Sequence, residues 1–597
     1  MLASLKVDSQ NFGKSLRGLK WIVEQVDERV IANLTQKLGI SEILAVILHN
    51  RDIKDVLDAE FFLDPKIRNY LPNPFELKDM DKAVARIVQA IQNNEKITIF
   101  GDYDVDGATS SALLKRFFRD IGITADIYIP NRIEEGYGPN VGAFESIIST
   151  GTTLIITVDC GSVSFDPIAY AEDRGVNVVV LDHHLSLETL PKAHAIVNPN
   201  RIDETFSFKT LAAVGVAYLT IIAIKSILSK NGYFDGKEEV NLLQYLDLVA
   251  LGTVCDVMSL KGINRAFVAQ GIKLINSRAN IGLAALAEVV KLAPEAYSYH
   301  LGYVLGPRIN AGGRVGEGRL GSILLSTPEY AEALEIANKL ESLNEERRAI
   351  EAVTIEDALS YIEANKLFEK PIIIVKGEGW HQGILGILAS RIKEKYNRPS
   401  AVISISGGVG KGSARSITGI DIGSMMSVAR SQNLLIQGGG HAMAAGFTVA
   451  EDKIDAFYDF MCQKLANSDE MFEKAREVKI DAIVSVGTVN GKLVEELSAS
   501  APFGAGNPQP RLALLDVVLV SARVVGRTHV MAIVSDSKSD RVASHTLKCM
   551  LFKSIDTDIG QFLLSSIGKR INLCGMAQPH YQDRDKADFI IEDISVN

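Results

Sequence analysis

Four short apolar runs constrain this chain more than any other feature: KITIF (96–100), ADIYIP (125–130), TLIITVD (153–159) and NVVVLD (177–182), each followed by a polar turn and a helical stretch. Short apolar runs that alternate with polar turns and helices are the pattern of strands covered by helices. A parallel sheet flanked by helices satisfies that pattern, and an α/β architecture is therefore expected. The chain has 597 residues, too many for one hydrophobic core at roughly 150 residues per domain. A small binding module is excluded. With 47% hydrophobic and 23% charged residues, the composition is globular throughout. A net charge of −10 excludes polyanion binding by bulk charge, so any nucleic-acid site must be a local basic groove.

Five regions follow from the change of pattern along the chain. Residues 1–80 carry helical periodicity, as in Val30, Leu34, Leu38 and then Ile43, Leu44, Ile47, Leu48, and end in the turn LPNPF. Residues 81–330 hold the parallel-sheet pattern and then mainly helices. Residues 331–367 contain neither Gly nor Pro and read as a long connecting helix; a coiled-coil dimer is the rival, but the apolar stripe breaks at Glu345, Glu346 and Arg347. Residues 368–470 alternate again as a smaller α/β domain, with a Gly-rich loop GGVGKGSARS. Residues 476–597 are strand-rich and suit a small barrel. The apolar run Leu211–Leu228 contains Lys225 and reads as a buried helix, not a membrane span. Cys160, Cys255, Cys462, Cys549 and Cys574 form no CxxC pair. With no signal-peptide pattern, they fit a reducing cytoplasm.

The chemistry lies where the strands end. Asp102, Asp104 and Asp106 in DYDVDG follow KITIF and match the start of a calcium-binding helix–loop–helix. The match fails at its twelfth position, Leu113, and because a strand precedes it. Three carboxylates in five residues repel unless cations offset them, and a divalent metal site accounts for them better than a solvated acidic turn. TLIITVD ends on Asp159, and NVVVLD ends on Asp182-His183-His184. Ligands of open α/β sheets bind outside the carboxyl ends of the strands, so these groups should converge in one crevice. Asp256, within LVALGTVCDVMSL, is an acid among residues that would bury it, and joins the set. Carboxylates with one or two imidazoles suit Mn²⁺ or Mg²⁺. A set of this size suggests two ions about 3.5–4 Å apart, able to activate a water for phosphoester hydrolysis.

DYDVDG, TVDCGS, LDHH and VCDVMSL resemble the four motifs of the DHH phosphoesterases. The longer series PNRIEEGYG, RINAGGR, KGSARS, GGGHAMAAGF and PFGAGNPQP resembles the bacterial RecJ family of single-strand-specific 5′→3′ DNA exonucleases. The resemblance spans about residues 20 to 560. It implies a DHH-type sheet domain and a smaller DHH-associated α/β domain joined by a long helix, plus an oligonucleotide-binding (OB)-like barrel. It further implies that Asp104, Asp106, Asp159, His183 and Asp256 ligate two ions, Mn²⁺ or Mg²⁺, with Asp159 as the bridge. His184 would stand beside the scissile phosphate, with Asp102 an additional acid of the catalytic group. Many members have a His where this chain has Phe100, which implies that one ion has fewer protein ligands.

Arg132, Arg308, Asn310 and Arg314 should face this crevice as phosphate contacts. The loop GGVGKGSARS departs from a nucleotide-binding P-loop at Ile405 and Gly412, and ATP binding is not expected. Ser413, Arg415 and Ser416 instead resemble terminal-phosphate contacts, and Gly439 and His441 the substrate-side loop. Single-stranded DNA is the implied substrate, with release of 5′-mononucleotides in DNA repair and recombination. A helicase and a single-strand-binding protein are candidate partners, no membrane is implied, and a monomer is expected. In the barrel, Arg511, Arg523, Arg527, Arg541 and Lys548 are the candidate phosphate grip. Two rivals are a phosphodiesterase of short oligoribonucleotides or cyclic dinucleotides, which would not need the barrel, and an inactive DNA-binding scaffold, which would have lost acidic ligands.

Overall fold

The computed structural model describes residues 12–132, 134–536 and 545–596. The chain divides into two compact units: residues 65–466 with 504–506, and residues 1–64 with 467–503 and 507–597.

In the first unit five parallel strands form a sheet in the spatial order Ala125–Tyr128, Ile97–Gly101, Leu154–Val158, Asn177–Leu181, Ala195–Val197. In chain order this is 2-1-3-4-5, so the direction of winding reverses between Ile97–Gly101 and Leu154–Val158. A crevice opens at such a switch point. The three central strands are apolar and buried on both faces, as their unbroken apolar runs require. Register then does the chemistry's positioning. Gly101 pairs with Val158 and Val158 with Leu181, so the next residues, Asp102, Asp159 and Asp182, leave the sheet side by side.

The helix Val105–Asp120 packs beneath the switch point with Ala213–Lys230 and Leu246–Cys255. Ala213–Lys230 is the one helix among the described residues long and apolar enough to cross a membrane, but 67% of it is buried within the protein. The helix Tyr330–Ala364 has 35 residues and spans about 50 Å at 1.5 Å per residue. Its first half buries Ala333, Ile336, Ala337 and Leu340 in the core of the parallel sheet. Its second half buries Ala358 and Ile362 against a separate core around Ile373, Leu388 and Val402. The break in its apolar stripe falls between the two. There Arg347 binds Glu351 at 2.9 Å and Asn344 at 3.0 Å. Each half of the helix thus buries its apolar stripe in a core of the same chain, while Val353 and Tyr361 stay exposed.

Beyond the helix lies a five-stranded sheet in the order Gln437–His441, Ala444–Ala450, Val409–Arg415, Ser400–Ser406, Ile373–Glu378. Here the expected Gly-rich loop is a strand. Only Gly407 and Gly408 turn, both with positive φ; Val409–Arg415 then pairs on both sides. Gly412 makes room for a neighbour, since a Cβ there would fall 2.2 Å from the Phe447 ring. GGGHAMAAGF is likewise a hairpin.

In the second unit the strands Leu512–Val525, His529–Asp536, Thr546–Leu551, Ala587–Val596 and Arg570–Pro579 pair in that order, and the last returns to the first. This is a closed barrel without free edges, with the helix Asp558–Ser565 between its third and fourth strands in chain order. The N-terminal segment differs from an all-helical preface. Lys14–Ser15 pairs with the barrel strand Ala587–Val596, and Lys20–Val23 with Glu477–Ile480. Ser15 and the Trp21 indole both donate to buried Asp593, at 2.6 and 2.8 Å. The helices Glu28–Leu38, Glu42–His49 and Val56–Leu63 follow.

Candidate active site

Each acid of DYDVDG has a separate environment. Asp104 is the N-cap of the helix Val105–Asp120 and accepts from the N–H groups of Asp106 and Gly107 at 2.9 and 3.1 Å. Gly107 is obligatory, because a Cβ would stand 2.3 Å from the Asp102 carbonyl oxygen. Asp106 points the other way and accepts from the N–H groups of Ala213 and Val214 at 2.6 and 2.9 Å. It thereby caps the apolar helix Ala213–Lys230. Asp159 adopts a left-handed backbone, φ 61°, as does Val257, φ 59°, next to Asp256. Such strain at non-glycine residues is held only where surrounding contacts enforce it.

The side chains converge. Nε2 of His183 lies 3.2 Å from Asp159, 3.5 Å from Asp256 and 3.8 Å from Asp106. Asp106, His183 and Asp256 form one group whose ligand atoms lie within 4.8 Å of one another, and Asp102, Asp104 and Asp159 form a second. Asp159 also groups with His183 and His184. His183 Nε2, Asp256 Oδ2 and Asp102 Oδ1 are buried without a hydrogen-bond partner. Orphaned polar atoms are costly unless something binds them, and these meet where cations would offset the carboxylates. The donor set fits two hard or borderline divalent ions. Asp102 completes the second group. Phe100 offers no ligand atom, and its ring is wholly buried against Tyr128 and Phe144.

Electrostatics agree with this. Burial, then the neighbouring Asp104, pushes the Asp106 carboxyl up to about 7. Burial, then Asp106 and Asp104, pushes Asp256 up to about 9. Asp102 and Asp159 are also raised, by burial and by the other carboxylates. Burial, then the charge of His184, holds His183 down to about 4, neutral as a metal ligand must be.

His184 is different. Its Nδ1 lies 2.8 Å from Asp182 Oδ1. Burial opposes its charge, but the bond and charge of Asp182 prevail and raise it to about 9. Asp182 also accepts from the N–H groups of His183, Ser162 and His184. Asn198 and Asn200 fasten the loop by donating to the carbonyls of His184 and His183, at 2.8 and 2.5 Å. The Tyr137 hydroxyl donates to the Asp159 carbonyl at 3.2 Å and lies 3.4 Å from the His184 ring. The orienting role of Asp182 was missed in the sequence, although its place in LDHH could have suggested it.

The crevice is a cavity of about 290 Å³ lined by Asp102, Asp104, Asp159, Asp256, His184 and Tyr137. Its other wall is formed by Arg132, Asn310 and Arg314. Across Tyr103 and Arg132 it adjoins a second cavity of about 330 Å³, lined by Lys411, Ser413, Gln437 and Gly439. Lys411, Ser413 and Arg415 alternate along one strand and share a face. Burial and the facing arginines hold Arg314 down to about 10, and Arg415 is lowered for the same reasons, with Arg132 the facing charge. Arg415 donates to Ser413 and to the Ala414 carbonyl. The His441 ring stacks 6.0 Å from His184.

Two expected contacts are placed elsewhere. Arg308 is held in a two-pronged ion pair with Glu341 of the long helix, at 2.5 and 3.1 Å, and does not line the crevice. Ser416 is wholly buried and donates to the Ile420 carbonyl at 2.7 Å. Neither partner was legible, because the pairings arise from packing. In the barrel, Arg511 and Lys548 are paired with Glu592 and Asp588, Arg523 and Arg527 are exposed, and Arg541 lies outside the described residues.

A parallel sheet with this acidic crevice at its switch point, tied by a long helix to a smaller α/β sheet, defines a DHH phosphoesterase. Residues 96–253 match the DHH family N-terminal domain, 369–467 the DHHA1 domain and 480–593 the RecJ OB domain. The chain is 32% identical over 590 residues to the single-stranded-DNA-specific exonuclease RecJ of Bacillus subtilis, covering 97% of this chain and 71% of that one. It is 36% identical over 485 residues to the Escherichia coli exonuclease of the same name, covering 79% and 83%. The crystal structure of Thermus thermophilus RecJ with Mn²⁺ superposes with a TM-score of 0.77 at 25% identity, covering 97% of this chain and 79% of that one. The chain belongs to the RecJ family.

Proposed function

We infer that the protein is a metal-dependent exonuclease that degrades single-stranded DNA from its 5′ end, releasing 5′-mononucleotides in DNA repair and recombination. The observation that carries this reading is the crevice itself, where two metal-capable groups meet an arginine wall that opens into a glycine-floored basic cavity. Asp106, His183 and Asp256 would hold one ion and Asp102, Asp104 and Asp159 the other. Mn²⁺ or Mg²⁺ bound there supplies charge neutralisation at the scissile phosphate and a water of lowered pKa. The remaining work falls to side chains. Arg132, Asn310 and Arg314 would orient the phosphate, and His184, kept protonated by Asp182, can donate a proton from its ring to the departing 3′-oxygen. Ser413 and Arg415 would hold the terminal 5′-phosphate, with Gly439 and His441 closing over it. All acidic ligand positions are filled, which disfavours an inactive scaffold. The barrel adds a surface that a hydrolase of dinucleotides does not need.

The deciding experiment is a time course on 5′-labelled and 3′-labelled single-stranded DNA with Mn²⁺, Mg²⁺ or EDTA. Progressive release of the 5′ label as mononucleotide, abolished by EDTA, is expected; cleavage from the 3′ end would sink the assignment. We propose further that it acts in the cytoplasm as a monomer, alongside a helicase and a single-strand-binding protein. Sedimentation and affinity capture with those two proteins test this.

A further inference from the structure

Three antiparallel strands of the smaller sheet, Val409–Arg415, Ala444–Ala450 and Gln437–His441, lie side by side, and their register sets residues in rows across them. Arg415, Ala444 and His441 form the row beside the metal crevice, where the His441 ring stacks on His184. Ser413, Gly446 and Gly439 form the second row, and Lys411, Thr448 and Gln437 the third. Successive rows are two residues apart along each strand, about 7 Å at roughly 3.4 Å per residue. Every residue of the second and third rows lines the cavity of about 330 Å³.

Ser413 and Arg415 account for a terminal 5′-phosphate with the first two rows, which leaves the third without an occupant. Lys411 is exposed and has no ion-pair partner among the described residues. Arg132 lines the same cavity, and none of the described lining residues is acidic, in contrast to the metal crevice. Gln382, Gln437 and Thr448 add neutral hydrogen-bond donors to the wall. The floor between Ser413 and Lys411 is bare. A Cβ at Gly439 or Gly446 would meet nothing within 4 Å, so no neighbour in the protein requires glycine at either position. An unpaired ammonium beyond an open floor, in a cavity that holds cations and no carboxylate, suits an anion longer than one phosphate.

We propose that the row of Lys411, Thr448 and Gln437 is a subsite for the outer phosphates of a strand bearing a 5′-di- or triphosphate. This rests on the exonuclease reading above. The innermost phosphate would take the place of the ordinary 5′-phosphate at Ser413 and Arg415, and the phosphoanhydride chain would cross the glycine floor to Lys411. Water attacks the scissile phosphorus, the bond to the 3′-oxygen breaks, and that oxygen takes a proton. The first nucleotide of a triphosphorylated strand thus leaves as a nucleoside 5′-triphosphate with a 3′-hydroxyl. The shortened strand keeps the attacked phosphate as a 5′-monophosphate, so each later turnover uses Ser413 and Arg415 alone. A strand shifted by one nucleotide could place a backbone phosphate in the same row, and the length of the product separates the two sources.

The test compares wild type, K411A and K411R on DNA decamers that carry a 5′-triphosphate, a 5′-monophosphate or a 5′-hydroxyl, with the products resolved by chromatography. Wild type should release a nucleoside 5′-triphosphate first from the triphosphorylated strand. The ratio of KM for the triphosphorylated decamer to KM for the monophosphorylated one should rise about tenfold or more in K411A, the size of one charge-assisted contact, and stay near the wild-type value in K411R. An unchanged ratio in K411A overturns the proposal, as does a wild type that cleaves the monophosphorylated strand and leaves the triphosphorylated one intact. Pyrophosphate as the first product would place the reaction at the anhydride and also overturn it. So would dinucleotides released from the 5′-hydroxyl strand by wild type and not by K411A, which would give the row to the strand's own backbone. Failure of wild type to cleave the monophosphorylated decamer from its 5′ end overturns the exonuclease reading instead.

Discussion

Nδ1 of His184 lies 2.8 Å from Oδ1 of Asp182, and that carboxylate is fastened by the N–H groups of Ser162 and His183 at 3.0 and 2.7 Å. The imidazole is therefore oriented from behind, with its other face toward the crevice. Burial would raise the Asp182 carboxyl, but its bond to His184 and the His184 charge outweigh that and hold it well below the usual carboxylate range.

Replacing Asp182 with Asn should break this relationship without emptying the site of metal ligands. The His184 pKa should fall from about 9 toward its ordinary value, followed by NMR of the metal-free protein. The turnover number on single-stranded DNA should drop about 10²- to 10⁴-fold, the range for a displaced acid–base group. An unchanged His184 titration would show that Asp182 only braces the loop.

Removing metal ligands should separate activity from folding, with one qualification from the structure. Asp159→Ala and His183→Ala should abolish nearly all hydrolysis while leaving the thermal midpoint of the metal-free protein unchanged or higher, since carboxylate repulsion or a buried orphan atom is relieved. Asp106→Ala should cost about 1 kcal/mol as well, because Asp106 caps the helix Ala213–Lys230. Asp106→Asn keeps one of the two cap acceptors and sets its NH2 against the other backbone N–H, so it should recover only part of that stability, without activity. Calorimetry on the four variants checks the ranking.

Asp106 and Asp256 titrate near 7 and 9 in the fold and near 4 in an unfolded chain. Between those values the folded protein holds protons on these two groups that the unfolded chain has lost, so their contribution to metal-free stability falls as pH rises from about 4 through 9, against a smaller opposite contribution from His183 between about 4 and 6.5. Divalent ions replace the protons and should restore it. Melts at pH 5.5 and 8.5, with EDTA or Mn²⁺, should show the larger metal-induced stabilisation at pH 8.5. An equal gain at both pH values contradicts the arrangement of charges described.

The sheet and its ligands were legible because burial on both faces leaves an unbroken apolar run that ends abruptly on an acid: Asp102, Asp159 and Asp182 each follow such a run. Partnerships formed by tertiary packing were not. Arg308 reads as a phosphate contact until the long helix brings Glu341 to it. Ser416 reads likewise until the fold buries it under Ile420. The strands at Lys14–Ser15 and Lys20–Val23 have partners more than 450 residues away, beyond any local periodicity. A chain cut near Ala475 would thus strip Trp21 and Ser15 of Asp593, and aggregation is the expected result.

Arg415→Ala should weaken degradation of 5′-phosphorylated DNA more than that of 5′-hydroxyl DNA. Arg415 makes its described bonds to Ser413 and a backbone carbonyl, so its charge is available to an anion. A charge-assisted contact is worth about 1.5–3 kcal/mol, or about ten- to a hundredfold in kcat/KM on the phosphorylated strand alone. Equal losses on both substrates would show that the cavity does not read the 5′-phosphate.

The barrel arginines make a contrast that salt can resolve. Arg523 and Arg527 are exposed on and just beyond the strand Leu512–Val525, whereas Arg511 and Lys548 are 2.6 and 2.9 Å from Glu592 and Asp588. A cation already neutralised in the fold releases few counterions when DNA binds, but an unneutralised one releases close to one per phosphate contact. Arg523→Ala with Arg527→Ala should lower the slope of log affinity against log salt by about 1.4, at about 0.7 per single-strand contact. Arg511→Ala should change the slope little and lower stability instead. Titrations of a long oligonucleotide at several salt concentrations, with metal withheld to prevent cleavage, measure both. A slope that drops for Arg511 and not for the exposed pair would place the strand on a different face of the barrel.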